Sequence, residues 1–471
     1  MRLRELTGGA EDAIVTGFAI DHRKVAPGNV FGAFRGIRFN GEDFIGEAIA
    51  RGAIAVVARP EVTVEGAAHI ASDHPRTDFA RIAARFFAPF PDISVAVTGT
   101  NGKTSTVEMV RQLWRMAGHN AASIGTLGVT TSGEMVSTGL TTPDVVTFLS
   151  NVAGLAREGV THLAFEASSH GLSQYRTEGL PVAAAAFTNL SRDHLDYHND
   201  MAEYLTAKLR LFADVLDPQG TAVVWADDPY SERVIDIARM RGNRVMTVGR
   251  HGDTLRLVST EPTLMDQQLV VLADGVEHRV TLSLIGAYQA ANALLAAGLV
   301  IATGGDVGAT LNNLSRLQPV RGRLERAAIS RSGAPVYVDY AHTPDAIEAA
   351  VSALKHHAAG RLILVFGAGG DRDSGKREPM GRAAAAGADL MFVTDDNPRG
   401  EDPAAIRAEV MKGCPQATEI GDRRAAIHAA IAAAGPADIV LIAGKGHEQG
   451  QIVGDRVLPF DDVTVAREAA A

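Results

Sequence analysis

A short glycine-rich segment is the first place where residue types and spacing point to chemistry. The apolar run at 93–98 leads directly into GTNGKT at 99–104, and a helical pattern follows. A strand, a glycine-rich turn and a helix in this order let backbone N–H groups approach phosphate at the helix N-terminus. Lys103 adds a cation, and Thr104 adds a hydroxyl for Mg²⁺. The segment predicts a nucleotide-binding loop, although the spacing between its glycines is shorter than in the usual GxxxxGK[ST] pattern. The alternative is a glycine turn that only caps a helix.

Polar residues also follow two other apolar runs. Glu166 ends the run THLAFEA, where a carboxylate can reach a metal held by the phosphate loop. His194 follows the run VAAAAFTNL, and a helix after it can return Lys208 toward the same place. Taken alone, a glutamate at a strand end is more often a helix cap or part of an ion pair, so the sequence by itself leaves that alternative open.

Alternating strands and helices are expected to hold these residues. Apolar runs recur between helical stretches after residue 93 and again after residue 335, as in parallel sheets covered on both faces. Ligands of such sheets bind at the carboxyl ends of the strands, where the polar motifs lie. Asp274 and Gly275 predict a hairpin that extends the first sheet in the antiparallel sense. We therefore predict an α/β protein with a small N-terminal α/β domain, a central P-loop parallel-sheet ATPase domain and a C-terminal Rossmann-like domain.

The bulk properties agree with a folded protein of about three domains. The chain has 471 residues, of which 46% are apolar and 21% charged, and its formal charge of -10 disfavours a nucleic-acid partner. The early arginines are not followed by an apolar signal region, and the longest apolar stretch, 290–303, is too short for a membrane span. A single cysteine, Cys414, cannot form an internal disulfide. A cytoplasmic protein without a membrane span is expected.

A series of motifs in one order resembles the Mur ligases. The motifs are GTNGKTST at 99–106, EASSH at 166–170, NLSRDHLDYH at 189–198, AKLRLF at 207–212, GRLE at 322–325 and DYAHTPD at 339–345. Three later motifs narrow the resemblance to the UDP-N-acetylmuramoyl-tripeptide synthetases: FGAGGDRDSGKR at 366–377, DDNPR at 395–399 and GKGHE at 444–448. The resemblance covers nearly the whole chain, which makes chance agreement negligible although any single motif is weak.

The resemblance implies three domains with separate ligands. Residues 1–89 are expected to bind the UDP end of the substrate, 90–319 to bind ATP, and 320–471 to bind the incoming amino acid. The implied ATP-binding residues are Gly99, Thr100, Asn101, Gly102, Lys103, Thr104, Ser105, Asn292, Arg323 and Asp339. The implied catalytic residues are Lys103, Glu166, His194 and Lys208. Mg²⁺ is expected on Thr104, Glu166, His194 and Lys208, the last carrying a CO₂-derived carbamate.

Two further sets of residues are implied for the substrates. Those for the UDP substrate are Thr141, Thr142, Ser168, Gln174 and Arg176. Those for the amino acid are Arg372, Asp396, Asn397, Pro398, Arg399, Gly444 and Glu448. The DNPR form implies meso-diaminopimelate, whose second carboxylate suits the planar fork of Arg399, while Glu448 suits the distal ammonium. Without the surrounding motifs, DNPR is typical of a turn with a solvated arginine.

The implied enzyme is an ATP-dependent ligase of peptidoglycan precursor synthesis, acting as a monomer. It transfers the ATP γ-phosphoryl group to the D-glutamyl γ-carboxylate of UDP-N-acetylmuramoyl-L-alanyl-D-glutamate, and the amino-acid nitrogen attacks the acyl phosphate. The alternatives are the same reaction with L-lysine, a folylpolyglutamate synthase, a catalytically silent nucleotide-binding relative and a motor-type P-loop NTPase. His22, Gln289 and Trp225 depart from the usual family pattern.

Overall fold

The computed structural model describes residues 1–36, 39–131, 133, 135–136, 141–195, 197–263 and 266–471. Within these residues the chain forms three sheets of four, eleven and six strands and a separate two-stranded hairpin. Parallel pairing predominates in all three sheets, which confirms the predicted α/β class. The division into domains after residues 89 and 319 stays a prediction.

The N-terminal sheet has four parallel strands in the order β1-β2-β3-β4. Its elements are α1 Leu3–Thr7, β1 Gly17–Ala19, β2 Asn29–Gly32, α2 Ile45–Ala50, β3 Ala55–Ala58, β4 Ala68–Ala71 and α3 Pro75–Phe87. Helix α3 starts with proline at its first turn, where the missing N–H leaves no helical hydrogen bond unmade.

The central sheet has the order β15-β14-β13-β12-β11-β10-β5-β9-β6-β7-β8, and the strands from β13 to β6 run parallel. Its strands are β5 Ile93–Thr98, β6 Ala121–Gly125, β7 Gly128–Thr130, β8 Met135–Val136, β9 His162–Glu166, β10 Val182–Phe187, β11 Leu216–Trp225, β12 Arg244–Gly249, β13 Leu255–Pro262, β14 Gln267–Ala273 and β15 Val276–Leu282. Its helices are α4 Lys103–Met116, α5 Val145–Arg157, α6 Ser169–Ser173, α7 Met201–Arg210, α8 Ser231–Met240, α9 Ala287–Ala302 and α10 Val307–Asn313.

The antiparallel hairpin predicted at Asp274 and Gly275 is confirmed. Strands β14 and β15 pair in the antiparallel sense on either side of these two residues. Asp274 and Gly275 have φ values of 49° and 76°, as a type I′ turn requires at both of its central positions. The hairpin forms one edge of the central sheet.

The C-terminal sheet has the order β16-β17-β21-β18-β19-β20, with only β16 antiparallel to its neighbour. Its strands are β16 Glu325–Ile329, β17 Pro335–Asp339, β18 Leu362–Phe366, β19 Leu390–Val393, β20 Thr418–Glu419 and β21 Ile439–Ala443. The helices are α11 Pro344–Lys355, α12 Arg377–Gly387, α13 Pro403–Met411, α14 Arg423–Ala432 and α15 Asp462–Ala470. The separate hairpin comprises β22 Gly450–Val453 and β23 Arg456–Pro459.

Apolar clusters cover both faces of the two larger sheets. One cluster continues from the N-terminal sheet to the central sheet, and it includes Phe18 and Phe79, whose ring centroids are 5.4 Å apart, together with Phe165. The C-terminal sheet has its own cluster on each face. None of the helices in the described part of the chain has both the length and the apolar character that a membrane crossing requires. Burial of these side chains is the main stabilising contribution to the fold.

Candidate active site

The glycine-rich loop lies between β5 and α4, at the carboxyl end of a central strand. Gly99 and Gly102 have φ values of 145° and 86°, and a Cβ at either position would collide with a neighbouring side chain. The next strand end supports the loop, because the N–H of Asn101 donates to Asn189 Oδ1 at 2.9 Å and Thr188 Oγ1 donates to the carbonyl oxygen of Asn101 at 2.6 Å. The loop is therefore held in a fixed shape by the segment that precedes His194.

Two lysines converge on this loop. Lys103 Nζ donates to the carbonyl oxygens of Gly99 and Thr100 at 3.0 and 2.7 Å. Lys208 arrives from α7, and its Nζ lies 4.2 Å from the ring centroid of Tyr204. Burial lowers the pKa of both lysines, and for Lys208 the neighbouring charge of Lys103 lowers it further. Lys208 is buried and its Nζ donates to the carbonyl oxygen of Gly99 at 2.6 Å, so the helix returns it to the loop as the sequence predicted.

Glu166 and His194 lie on either side of the loop. Glu166 ends β9, and its two carboxylate oxygens accept from the backbone N–H and the hydroxyl of Thr126 at 2.7 and 3.0 Å. His194 has a φ of 56° and packs its ring against His170, with centroids 5.1 Å apart. Burial lowers the pKa of His194 to about 3, despite the opposing effect of Asp193. The imidazole is therefore neutral at pH 7, and one ring nitrogen can accept a hydrogen bond or bind a metal.

The five residues implied for the UDP substrate form one connected group beside Glu166. Thr142 Oγ1 donates to Ser168 Oγ at 3.1 Å, and Arg176 donates to the carbonyl oxygen of Thr142 at 2.7 Å. Arg176 also donates to Gln174 Oε1 at 2.7 Å, while Thr141 Oγ1 lies 3.2 Å from Thr126 Oγ1. Thr126 contacts Glu166 as well, so this group is continuous with the phosphate-loop residues.

A small cavity of about 80 Å³ adjoins this group at the junction with the N-terminal sheet. Gln174 and Arg176 line it on one side, and Ile20, Phe34 and Arg76 line it on the other. The Arg76 guanidinium lies 4.9 Å from the Phe34 ring centroid, and burial lowers the pKa of Arg76. Arg76 and Phe34 were missed by the sequence interpretation, because no motif marks them and only the packing of α3 against the segment after β2 brings them together.

The remaining ATP residues implied by the sequence also gather at the loop. Arg323 Nη2 donates to Thr104 Oγ1 at 3.1 Å, and Asn292 lies directly beside Gly102. Asp339 accepts from the N–H groups of Leu324 and Ala341 at 2.7 and 2.8 Å, and burial raises its pKa although Arg323 opposes the shift. Ser105 is buried in the first turn of α4.

The departure at Gln289 is accommodated in the same region. Its Nε2 donates to the carbonyl oxygen of Arg323 at 3.3 Å, and the side chain is buried. Gln289 therefore supports the chain segment that brings Arg323 to Thr104. His22, another departure, stacks on Phe44 with ring centroids 4.3 Å apart.

Three side chains of the C-terminal unit contact the segment that carries His194. Arg192 and Asp373 form an ion pair with Nε and Oδ2 3.2 Å apart. Lys376 Nζ and His342 Nε2 each lie 3.8 Å from a carboxylate oxygen of Asp193. Burial raises the pKa of Asp193, but His194, His342 and Lys376 outweigh it and hold that pKa well below the usual range. The carboxylate is thus a shared contact between the two units.

The residues implied for the amino acid form a second cluster. Asn397 Nδ2 donates to Glu448 Oε2 at 2.8 Å, and Arg399 Nη1 donates to the carbonyl oxygen of Gly370 at 2.8 Å. Gly444 has a φ of 115°, and a Cβ there would crowd Asp396. Pro398 is buried, and Arg372 is exposed in the loop that also contains Gly370. The seven residues therefore come from three loops at the carboxyl edge of β18, β19 and β21.

A cation–aromatic contact and a tilted pair of rings connect this cluster to the phosphate loop. The Arg323 guanidinium lies 4.3 Å from the ring centroid of Tyr340, and that ring lies 5.1 Å from the ring of His447. His447 belongs to the segment between Gly444 and Glu448, and Arg323 contacts Thr104. Tyr340 was not singled out from the sequence; its place in the motif DYAHTPD was the available signal.

Comparisons with known proteins agree over the whole chain. The Mur ligase family catalytic domain matches residues 14–86, the Mur ligase middle domain matches 97–300, and the Mur ligase glutamate ligase domain matches 322–446. A UDP-N-acetylmuramoyl-L-alanyl-D-glutamate--2,6-diaminopimelate ligase from Zymomonas mobilis subsp. mobilis is 59% identical over 463 residues, 98% of this chain and 95% of that protein. The ligase of the same name from Bradyrhizobium diazoefficiens is 49% identical and covers 100% of this chain and 99% of its own length.

A solved structure of a protein with this name, 32% identical, superimposes with a TM-score of 0.73 and covers 100% of this chain and 98% of its own. The residues matched by the family include the phosphate loop, the segments around Glu166 and His194, and the DNPR segment at 396–399. The chain belongs to the Mur ligase family.

Proposed function

We propose that this chain joins meso-diaminopimelate to the D-glutamyl γ-carboxylate of UDP-N-acetylmuramoyl-L-alanyl-D-glutamate, with ATP as the source of the activating phosphoryl group. The single observation that carries the proposal is the contact between Arg323 and Thr104. It joins a phosphate-binding loop to the unit that contains the DNPR segment. A carboxylate activated at the loop and an amine delivered by that unit can therefore meet at one junction.

The first chemical step is phosphoryl transfer. The γ-carboxylate attacks the γ-phosphorus, and the bond from phosphorus to the β,γ-bridging oxygen breaks. ADP departs, and the carboxylate becomes an acyl phosphate. Such transfers depend mainly on positioning and on neutralising the charge that spreads over the phosphoryl oxygens. Lys103 supplies one cation, and its N–H groups, which donate to carbonyl oxygens of the loop in this structure, can turn toward phosphate when ATP binds. Arg323 supplies a second cation. Phosphate oxygens are stronger acceptors for these donors than neutral carbonyls.

The second step forms the amide bond. The amino group attacks the acyl carbonyl carbon, inorganic phosphate leaves, and the nitrogen loses a proton. Arg399 can hold the distal carboxylate of diaminopimelate through two N–H groups, which orients the amine relative to the acyl phosphate. The protein forms no covalent bond with either substrate.

The residues at the loop suit Mg²⁺ shared with ATP. Mg²⁺ prefers oxygen ligands, and in nucleotide sites it takes one or two protein ligands together with phosphate oxygens and water. Thr104 Oγ1 and the buried carboxylate of Glu166 provide such oxygens, and neutral His194 adds a ring nitrogen nearby. When bound, Mg²⁺ neutralises charge on the transferring phosphoryl group.

Lys208 has the properties required of a carbamate-forming lysine. CO₂ reacts with a neutral amine: the nitrogen lone pair bonds to carbon, and one proton leaves to give an anionic carbamate. Burial and the neighbouring Lys103 lower the pKa of Lys208 well below its usual value, which favours the neutral amine. The carbamate would place an anion beside the Lys103 ammonium.

The rivals fit less well. A folylpolyglutamate synthase is expected to lack the N-terminal pattern and DNPR, whereas residues 14–86 match the Mur ligase family and Asn397 and Arg399 lie in one cluster with Glu448. A silent relative is expected to have lost Lys103, Glu166, His194 or Lys208, and all four are present at the loop. We further propose a cytoplasmic monomer, for which gel filtration and cell fractionation are the tests.

The test is turnover by the purified protein. Phosphate release and the mass of the product are measured with ATP, Mg²⁺ and the UDP dipeptide substrate, comparing meso-diaminopimelate with L-lysine. Lys103→Gln is the matched variant, because it keeps much of the side-chain length and removes the charge. Turnover with diaminopimelate that is lost in Lys103→Gln supports the proposal. Equal turnover with lysine discards the specificity, and no turnover with either favours the silent relative.

A further inference from the structure

A buried cation lies directly behind the amino-acid cluster. Lys445 is completely buried, and its Nζ donates to Asn397 Oδ1 at 2.9 Å and to Glu448 Oε2 at 3.0 Å. It also lies 3.6 Å from Asp396 Oδ1. A buried ammonium is strongly unfavourable unless it is paired and hydrogen-bonded, so these three contacts fix the place of the side chain.

The contact with Lys445 also fixes the orientation of the Asn397 amide. An ammonium has only donors, so the side-chain oxygen of Asn397 must face it. The same oxygen accepts from the backbone N–H of Ile452 in β22 at 2.9 Å, and the amide nitrogen is thereby turned toward Glu448. Lys445 Nζ and the Ile452 N–H are the two donors that hold the amide oxygen of Asn397 in this direction. Without the ammonium, only the Ile452 N–H would oppose a flip of the amide.

Glu448 is held in the same way. Its Oε2 accepts both from Lys445 Nζ and from Asn397 Nδ2, and its Oε1 takes part in neither bond. One carboxylate oxygen therefore anchors the side chain, and the other is not used by these two bonds. Lys445 itself has no exposed surface, so it cannot contact a ligand directly.

We infer that Lys445 is a positioning residue for the acceptor amino acid, acting through Asn397 and Glu448. The inference rests on the proposed function, because it takes this cluster to be the amino-acid subsite. The cation sets the direction of the Asn397 amide, holds the Glu448 carboxylate in one rotamer and offsets part of the negative charge of Asp396 and Glu448.

The test removes the charge of Lys445 and keeps most of its side-chain volume. In Lys445→Met we expect the KM for meso-diaminopimelate to rise about tenfold to a hundredfold, as expected for loss of one or two charge-assisted hydrogen bonds. The KM values for ATP and for the UDP substrate should stay within about twofold, because Lys445 contacts neither predicted site. A purely structural role would instead raise all three KM values together or lower only the amount of folded enzyme, and either result overturns the inference.

Lys412→Met is the matched control, since Lys412 is an exposed lysine of the same unit and lies outside the cluster. If Lys445→Met does not fold, Lys445→Gln decides, because it removes the charge and keeps an N–H donor: a selective rise in the diaminopimelate KM supports the inference, and an unchanged or general effect contradicts it. Where Lys445→Met folds, its combination with Asn397→Ala should raise that KM little more than Asn397→Ala alone, because both changes remove one connected unit. Additive effects would overturn the inference. Turnover by the wild-type enzyme tests the proposed function separately.

Discussion

Lys103 and Lys208 donate to the same carbonyl oxygen, that of Gly99, at 3.0 and 2.6 Å. Two ammonium groups that share one neutral acceptor repel each other, and burial removes the water that would screen them. The pKa of Lys208 is accordingly well below its usual value, with burial as the larger cause and Lys103 as the second. Burial and this repulsion both favour the neutral amine at Lys208, which is the form that carbamate formation requires.

This relationship predicts a particular pattern of loss and rescue at Lys208. Lys208→Ala should lower kcat by about a hundredfold or more, the scale of losing one electrostatic group at a reacting phosphoryl centre. Added formate or acetate should restore part of the activity, because a small carboxylate can occupy the place of the proposed carbamate. Steady-state phosphate release with and without these anions measures both effects.

Lys208→Arg is the control for the rescue. Arginine keeps a positive charge, cannot form a carbamate under these conditions and fills the space, so neither formate nor acetate should help it. Full activity of Lys208→Arg would show that a cation is what the site needs, and the carbamate would then be rejected.

A second prediction concerns Arg399 and the choice of amino acid. Arg399→Ala should lower kcat/KM for meso-diaminopimelate. The loss of transition-state stabilisation should be about 2–3 kcal/mol, the usual scale for a charge-assisted hydrogen-bonded pair. The KM for ATP should change little, because Arg399 contacts Gly370 and the loops of the amino-acid cluster. Kinetics with each substrate varied in turn give both quantities.

Arg399→Lys separates charge from shape. Both residues must occupy the same positive φ of 52°, so any backbone strain is shared. Lysine keeps the charge but lacks the planar fork, and we expect it to recover only part of the loss. Equal losses for diaminopimelate and ATP in Arg399→Ala would remove the residue from the amino-acid site.

A third prediction concerns a buried ion pair that carries no proposed chemistry. Arg423 Nη2 and Asp462 Oδ2 are 2.7 Å apart with both side chains completely buried, and Arg423 also donates to the carbonyl oxygen of Ala443 at 2.9 Å. Asp462→Ala should lower the free energy of unfolding by about 3–5 kcal/mol, because it leaves an unpaired buried cation.

The control for this pair lies on the same two helices. Arg424 and Glu468 form an ion pair with both side chains about half exposed, so Glu468→Ala should cost less than about 1 kcal/mol. Urea unfolding of the wild type and the two variants measures the difference. Similar losses for Asp462→Ala and Glu468→Ala would show that burial does not set the cost of breaking these pairs.

The sequence predicted local features well because local features need only neighbouring residues. The order of strand, glycine turn and helix around Lys103 was predicted and is confirmed, while its binding of phosphate stays a prediction. The pair Asp274 and Gly275 predicted a hairpin, which is also confirmed. The family resemblance placed Lys208 and Arg323 beside the loop, and the fold brings both there.

Features that depend on contacts between distant segments were not predicted. Arg192 and Asp373 are far apart in the chain, and neither has a residue type that signals an ion pair between two units. Lys445 in the sequence GKGHE is typical of a flexible surface lysine, and only the fold shows that it is buried against Asn397. Such contacts are decided by packing, which composition and spacing do not specify.

The last prediction concerns acid stability and His162, the first residue of β9. Its ring stacks on His119 with centroids 4.0 Å apart and packs edge-on against Trp114 at 5.0 Å. Burial, followed by the charge of His119, lowers the pKa of His162 from 6.5 to about 4. Between these two pH values the unfolded chain binds more protons than the folded one, so stability falls as pH falls through this window.

His162→Phe keeps an aromatic ring in place and removes the titration. We expect the wild type to lose about 1–2 kcal/mol more than the variant between pH 7 and pH 5, after allowance for partial screening by water. Urea unfolding at several pH values measures this difference. His428→Phe, at an exposed position of α14, should leave the pH dependence of the wild type intact. If His162→Phe and the wild type lose stability in parallel, the acid sensitivity arises from other groups, and the stacked histidines are not its source.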